Sequence, residues 1–422
     1  MSLWINRVII HEINYSIPDC LGFRHLFAFG EVYFCALFTE HRKELYMKTI
    51  NGVAASAIIF HTNTTKNSVD DYAIAQLQKL CDNVAFKDCT IRVMPDVHPG
   101  KVGTIGFTST LGNRVLPNVI GVDIGCGMLL AKVKGKVKEF QRLDAVIREN
   151  VPSGFAIRKN PHHRAIYFDF STLHCYRHIQ EKKAVLSLGT LGGGNHFIEL
   201  DRDAERNHYL VIHTGSRHLG QEVTEYYLRE GQRTLKDKGI EIPYELTYLD
   251  GELMQHYLHD LATVQSYAVL NREIIMAEIC KGMRWKILDS YSCIHNYVDF
   301  DAPVPVIRKG AISAKKDENV IIPINMRDGI ILGKGLGNEE WNCSAPHGAG
   351  RIMNREDVKA KFTVSAFKSE MKGVYSSCIS KDTLDEAPFA YRGMDEIKEV
   401  IKETVNIDKV ITPVYNFKAG GD

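Results

Sequence analysis

The segment Ser344-Ala345-Pro346-His347-Gly348-Ala349-Gly350-Arg351 places one imidazole before three small residues and a guanidinium. The bare backbone of Gly348, Ala349 and Gly350 lets a flat or highly charged ligand come close. Arg351 offers a planar fork suited to phosphate. His347 could serve as a base, a metal ligand or a nucleophile toward phosphorus. A histidine in a glycine-rich turn is more often structural than catalytic, but four further segments pair histidine, cysteine or carboxylate with glycine. In Gly121–Gly127, Asp123 precedes Cys126 by three residues. A carboxylate and a thiolate suit a borderline divalent cation, and one sulfur can bridge two; a buried cysteine packed as a small hydrophobe is the alternative. In Gly192–Glu199, three glycines deliver Asn195, His196 and Glu199. His213 ends an apolar strand, where a satisfied core histidine is about as frequent as a functional one, and Arg217 follows it in a turn that could hold phosphate. His295-Asn296 repeats the pattern of short strand, then imidazole. Asp123, Cys126, His196, His213 and His295 would supply three nitrogens, one thiolate and one carboxylate. That set suffices for two divalent ions if Cys126 bridges, and ions ~3.5–4 Å apart serve phosphoryl transfer. The spacings alone do not establish that the five converge.

The elements that must position these groups read as α+β, with mixed β-sheets, flanking helices and one long helical insertion. The periodicity predicts helices over 68–82, 221–238, about 252–281 and 394–406. Strands are predicted at 90–94, running into a turn over 95–100, and on both sides of a glycine turn between Val115 and Val133. Others are predicted at 210–213, 320–323, 329–332, 362–367 and 410–418. Ligands from both halves favour one intertwined catalytic domain over 47–422. Residues 1–46 are aromatic-rich and weakly periodic, which reads as an extension or a start assigned too early. The chain has 422 residues, 45% apolar and 24% charged, ordinary for a globular protein. A net charge of +1 carries no bulk signal for nucleic acid, so RNA would need a local basic patch. Ten cysteines without CxxC spacing read as reduced thiols in the cytoplasm. No run reaches membrane-spanning length (the most apolar part is Phe27–Phe38, interrupted by Glu31), and no signal-peptide pattern appears.

Gly121–Gly127, Gly189–Glu199, His213–Arg217, His295-Asn296 and His347–Arg351 resemble, in order, the signature segments of the RtcB-type RNA ligases. Met94–His98 (Met-Pro-Asp-Val-His) and Asp385–Tyr391 (Asp-Glu-Ala-Pro-Phe-Ala-Tyr) fit the same family. The resemblance runs from about Met47 to the C-terminus. It implies a GTP- and Mn²⁺-dependent ligase joining an RNA 3′-phosphate or 2′,3′-cyclic phosphate to a 5′-hydroxyl. Two Mn²⁺ would sit on Asp123, Cys126, His196, His213 and His295, and His347 would be the nucleophile that takes GMP. Asn195, His196, Phe197, Glu199, His295, Asn296, Pro323, Met326, Gly348, Ala349, Gly350, Tyr391 and Lys418 fall at the family's guanylate contacts. Arg217, Arg351 and Arg355 fall where the family places RNA phosphates, and Asp96 and His98 look like a supporting pair. The resemblance further implies a soluble enzyme of RNA repair, in a branch where an archease-like activator or a release-factor-like partner can accompany it.

Three features depart from the family pattern. Pro323-Ile324-Asn325-Met326-Arg327-Asp328-Gly329-Ile330 replaces the usual Pro-Gly-Ser-Met loop, Pro346 precedes the nucleophile, and residues 1–46 have no counterpart. The altered loop bears on guanine selectivity and motivates one alternative, a two-metal 2′,3′-cyclic phosphodiesterase or phosphoesterase that hydrolyses without joining. A non-catalytic RNA-binding module is the other alternative, and the intact candidate ligands and nucleophile argue against it.

Overall fold

The computed structural model describes residues 45–62 and 69–419. Nearly all of the expected 1–46 extension, including Phe27–Phe38, lies outside the described residues. Two large sheets organise the rest. A seven-stranded sheet runs in the order Lys286–Ile294, Gly127–Lys134, His208–Thr214, Phe197–Arg202, Val405–Lys418, Gly329–Gly335, Asn319–Asn325. All its neighbours are antiparallel. The six-stranded sheet, ordered Leu45–Asn51, Ser56–Thr62, Ile91–Pro99, Thr104–Thr110, Val306–Lys309, Asn296–Asp299, is mixed. Its one parallel pair is Ser56–Thr62 with Ile91–Pro99.

Side chains alternate across the seven-stranded sheet with period two, and both faces are covered. Leu129, Ala131, Val133, Leu210 and Ile212 pack on one side beneath helix Phe140–Asn150 and helix Gly251–Met283, through Leu143, Ile147, Ile275 and Ile279. Met128, Leu130, Tyr209 and Val211 join the opposite cluster with Ile312, Ile331 and Ile397. The same alternation puts His213 on the Val211 side, and there its register partner is Phe197. Phe197 in turn faces Lys418, and Glu199 faces Asn416. One sheet face therefore carries Lys418, Phe197, His213, Glu199 and Asn416 side by side.

The long helix Gly251–Met283 matches the expected helical stretch, and its middle acts as a strut. Asn271 Oδ1 accepts from the backbone of Gly189 at 2.7 Å and Thr190 at 3.1 Å, while its Nδ2 donates to Thr190 and Gly215 carbonyls. Arg272, fully buried, donates to the Gly125 and Thr214 carbonyls at 2.7 and 2.8 Å. Two adjacent residues thus pin three loops.

Four local expectations are corrected. Phe362–Phe367 is not a strand: Val364–Glu370 is helical, with Thr363 Oγ1 accepting from the Ala366 amide. Phe367 and Met371, one turn apart, share one apolar cluster. Between Val115 and Val133, only Arg114–Val115 and Gly127–Lys134 are extended; Pro117 starts a short helix, Pro117–Ile120, where its lost amide costs nothing. The helix expected over 394–406 ends at Val400, because Val405 already pairs with Gly335 in the sheet. The turn expected over 95–100 is instead strand Ile91–Pro99, with a register break between Val93 and His98. That irregularity re-aims Asp96, the usual service of a bulge beside a site.

Because Asn271 serves two buried amides and two carbonyls, Asn271→Ala should cost about 2 kcal/mol or more. A urea titration should show a lower midpoint at unchanged slope.

Candidate active site

Three loops and the end of strand His208–Thr214 bring the five predicted ligands together. Backbone bonds from Gly125 N to Asn296 O (2.7 Å) and from His295 N to Cys126 O (2.9 Å) tie the cysteine loop to the His295 turn. Cys126 Sγ lies 3.5 Å from His196 Nε2 and 3.4 Å from His213 Nε2. His213 Nε2 lies 3.2 Å from His295 Nε2, and Asp123 Oδ2 lies 3.0 Å from His196 Nε2. The atoms fall into two groups, Asp123–Cys126–His196 and Cys126–His213–His295, which share the sulfur. The ring nitrogens turned away from the centre meet backbone carbonyls: His196 Nδ1 lies 2.9 Å from Leu191 O, and His213 Nδ1 lies 3.2 Å from Asn195 O. A proton held there leaves each Nε2 lone pair aimed inward, the arrangement of metal-ligating histidine.

Electrostatics push the same way. Burial pulls His213 and His295 well below the ordinary histidine range, with neighbouring imidazoles adding to it, so both rings are neutral near pH 7. Burial pushes Asp123 up, but the His196 ring outweighs it and holds the carboxyl well below its usual range. Burial, reinforced by Asp123, raises the Cys126 thiol. Three imidazoles, a thiol and a carboxylate fit two divalent cations sharing Cys126.

Beside this cluster opens a cleft of about 160 Å³. Asn195, Phe197, Glu199, His213, His295, Pro323, Met326, Gly348, Ala349, Gly350, Arg351, Arg355, Tyr391 and Lys418 line it, together with His347. His347 Nδ1 meets Asp96 Oδ2 at 2.8 Å, and Asp96 is fully buried. That bond fixes the ring and its tautomer and leaves Nε2 with a lone pair. His98 Nδ1 meets Asp96 O at 2.9 Å, and burial lowers His98 to about 4, so it brings no charge.

A family model described as tRNA-splicing ligase RtcB matches residues 76–173 and 168–419. This chain belongs to the RtcB family. It is 30% identical to the RNA-splicing ligase RtcB of Escherichia coli K12, over 75% of this chain and 87% of that protein. It is 28% identical to the tRNA-splicing ligase RtcB of Nanoarchaeum equitans, covering 76% and 85% of the two chains. With that of Archaeoglobus fulgidus the identity is 26%, over 86% and 94%.

Within this RtcB chain, two of the sequence-predicted guanylate residues stand outside the cleft lining. His196 belongs to the cation cluster. Asn296 lies behind it, its Nδ2 donating to Asp123 O at 3.3 Å and its Oδ1 accepting from Gly310 N at 3.0 Å. Arg217 starts helix Arg217–Asp237 and packs its guanidinium onto Gly192, where a Cβ would come within 1.9 Å of it. Its Nη1 is 3.2 Å from His196 Nδ1. Arg351 donates to Asp385 O at 2.6 Å and to Tyr391 Oη at 3.1 Å. Arg355 pairs with Asp385 and with Glu386, the latter at 2.6 Å.

Sequence reasoning passed over Glu386, although it stands inside the Asp385–Tyr391 motif. Glu386 joins Arg355, Lys418 at 2.9 Å and Tyr391 Oη at 2.5 Å. Burial would raise its carboxyl, but Lys418, Arg355 and Arg351 hold it at about 2. Asn271, Arg272 and Asn416 were also missed, and no motif marks them. Asn325, in the divergent loop, accepts from the Arg327 and Asp328 amides at 3.0 and 2.9 Å and closes a tight hairpin at the cleft rim.

Glu199 and Asp201 are a buried carboxyl pair on one strand face. Burial raises both, Glu199 to about 7, against the pull of the Asn416 amide. Between the ordinary carboxylate range and about pH 7, the unfolded chain is ionised where folded Glu199 keeps its proton. Native stability therefore falls as pH rises through that window. Glu199→Gln removes this titration, so its unfolding midpoint should gain on wild type as pH goes from 5 to 8. Parallel denaturation series across pH check this.

Proposed function

We propose that this RNA ligase of the RtcB family joins RNA 3′-phosphate or 2′,3′-cyclic phosphate ends to 5′-hydroxyl ends, with GTP and Mn²⁺, through a guanylylated His347. The observation that carries the reading is His347, held by buried Asp96 with Nε2 free, at the junction of the cation cluster and the cleft. Residues 47–422 would act as one intertwined catalytic domain; the membership of all described residues in one compact unit supports this. No helix among the described residues is long and apolar enough to cross a membrane.

His347 Nε2 attacks the α-phosphorus of GTP, an N–P bond forms, and pyrophosphate leaves. As N–P bonding makes the ring cationic, Asp96 stabilises the charge through Nδ1–H. Two divalent ions on Asp123, Cys126, His196, His213 and His295 would offset charge on the phosphate oxygens. The RNA 3′-phosphate then attacks the phosphorus and takes GMP from His347; the 5′-hydroxyl attacks the activated end, and GMP leaves. Guanine is supported by an acceptor beside a donor at the cleft wall. Glu199 suits the base's N1–H and N2–H, and Lys418 suits O6; adenine reverses that pattern. Arg217, Arg351 and Arg355 stay as proposed RNA phosphate contacts.

Incubation with Mn²⁺ and α-³²P-GTP, then a denaturing gel, tests the reading. Wild type should retain label from GTP and not from ATP, and His347→Ala should retain none. Asp96→Asn should slow labelling by on the order of 10²–10⁴-fold, with the ring's tautomer no longer fixed. Full labelling of His347→Ala would overturn the nucleophile. No label on wild type, with cleavage of a cyclic-phosphate end instead, would favour the phosphodiesterase.

A further inference from the structure

A second group of metal-type donors lies far from the active site. Helix Gly251–Met283 carries His256, His259 and Asp260 on its first turns, and His174 faces them from the segment between the 3₁₀ turns Phe170–Thr172 and Tyr176–His178. One nitrogen each of His174 and His259 and one oxygen of Asp260 lie within 4.8 Å of one another. His259 Nδ1 is 3.1 Å from Asp260 Oδ1. The His174 ring stacks on His256 with centroids 3.9 Å apart, and it meets His259 edge-on at 4.8 Å. Two imidazoles thus stand beside one carboxylate, with the His256 ring stacked behind His174.

The carboxylate itself asks for a cation. Asp260 is fully buried, and among the described residues no lysine or arginine pairs with it. It is held in place by the amides of His174 (2.8 Å) and Cys175 (3.0 Å) and by Tyr227 Oη (2.7 Å). A buried charge that lacks a cationic partner is costly. The exposed imidazole of His259 is its one ion-pair partner there. We propose that His174, His259 and Asp260 form a structural site for a zinc-class divalent cation, with His256 able to turn in as a fourth ligand. Imidazole nitrogens with a carboxylate are a donor set that suits Zn²⁺.

The consequence is mechanical. Phe168 and Phe170, just before His174, already pack edge-on against Tyr267 of the same helix. A cation would clip that segment to the helix about two turns from where the aromatics hold it. Asn271 and Arg272 stand further along the same helix, about 16–18 Å beyond Asp260 at the helical rise. The site is therefore separate from the Cys126 cluster and braces the helix that supports it.

Zn²⁺ binding to the full-length Cys126→Ala chain, whose active-site cluster has lost its shared ligand, tests the proposal. Calorimetry should give one more saturable Zn²⁺ per chain in Cys126→Ala than in the triple variant that adds His174→Gln and His259→Gln. His259→Gln alone should weaken that additional site about tenfold or more. Zn²⁺ should also raise the thermal unfolding midpoint of Cys126→Ala by more than that of the triple variant. Both histidines are exposed, so the substitutions take nothing from the buried core. Identical Zn²⁺ isotherms in all three chains would overturn the site.

Discussion

Three imidazole nitrogens, a sulfur and a carboxylate converge on one centre, and keeping them together is the requirement that governs the surrounding fold. Nε2 of His213 lies 3.2 Å from Nε2 of His295, both rings are neutral, and the carboxyl of Asp123 stands on the other side against His196. Divalent cations would replace these close contacts with ligation, and much of the fold serves to hold the donors in place. Asn271 and Arg272 pin the backbone beside Cys126 and His213 and the loop that leads to His196. Arg272 also places a buried positive charge near Cys126, a thiol that must become thiolate to serve. Sheet register supplies the rest, since the alternation that buries Leu210 and Ile212 presents His213 to the other face.

The cleft has its own balance of charge. Arg351, Arg355 and Lys418 would give a strongly positive wall, yet Glu386 lies among them and Tyr391 donates to it. The wall is therefore preorganised, with its cations oriented by one carboxylate, and stays net positive. On the other side, Glu199 keeps a proton-dependent charge beside Lys418. Polarity is thus graded along the cleft, from the cation cluster past His347 to the acceptor and donor on the sheet.

The chemistry was easier to read in the sequence than the architecture. Cys126, His196, His213 and His347 each sit beside glycine, because a side chain reaching a shared centre needs a tight backbone turn, and such turns leave a mark in composition; His295 was marked only by the short strand before it. The α+β class and the long helix were legible from periodicity for the same kind of local reason. Register, caps and struts were not. Phe362–Phe367 looked extended until Thr363 capped a helix, and the break that aims Asp96 depends on pairing with the following strand, Thr104–Thr110. Asn271, Arg272 and Asn416 act through long-range contacts, which leave nothing unusual in their own neighbourhoods. Glu386 was in view inside its motif, but only the folded chain shows it meeting Arg355 and Lys418.

Electron paramagnetic resonance of the Mn²⁺-loaded chain tests the shared-sulfur cluster most directly. Two Mn²⁺ bridged by Cys126 at ~3.5–4 Å must couple their spins. The expected result is an exchange-coupled multiline signal at two ions per chain, replaced by uncoupled single-ion spectra in Cys126→Ala. A wild-type chain saturated with Mn²⁺ that shows only isolated-ion spectra would contradict it.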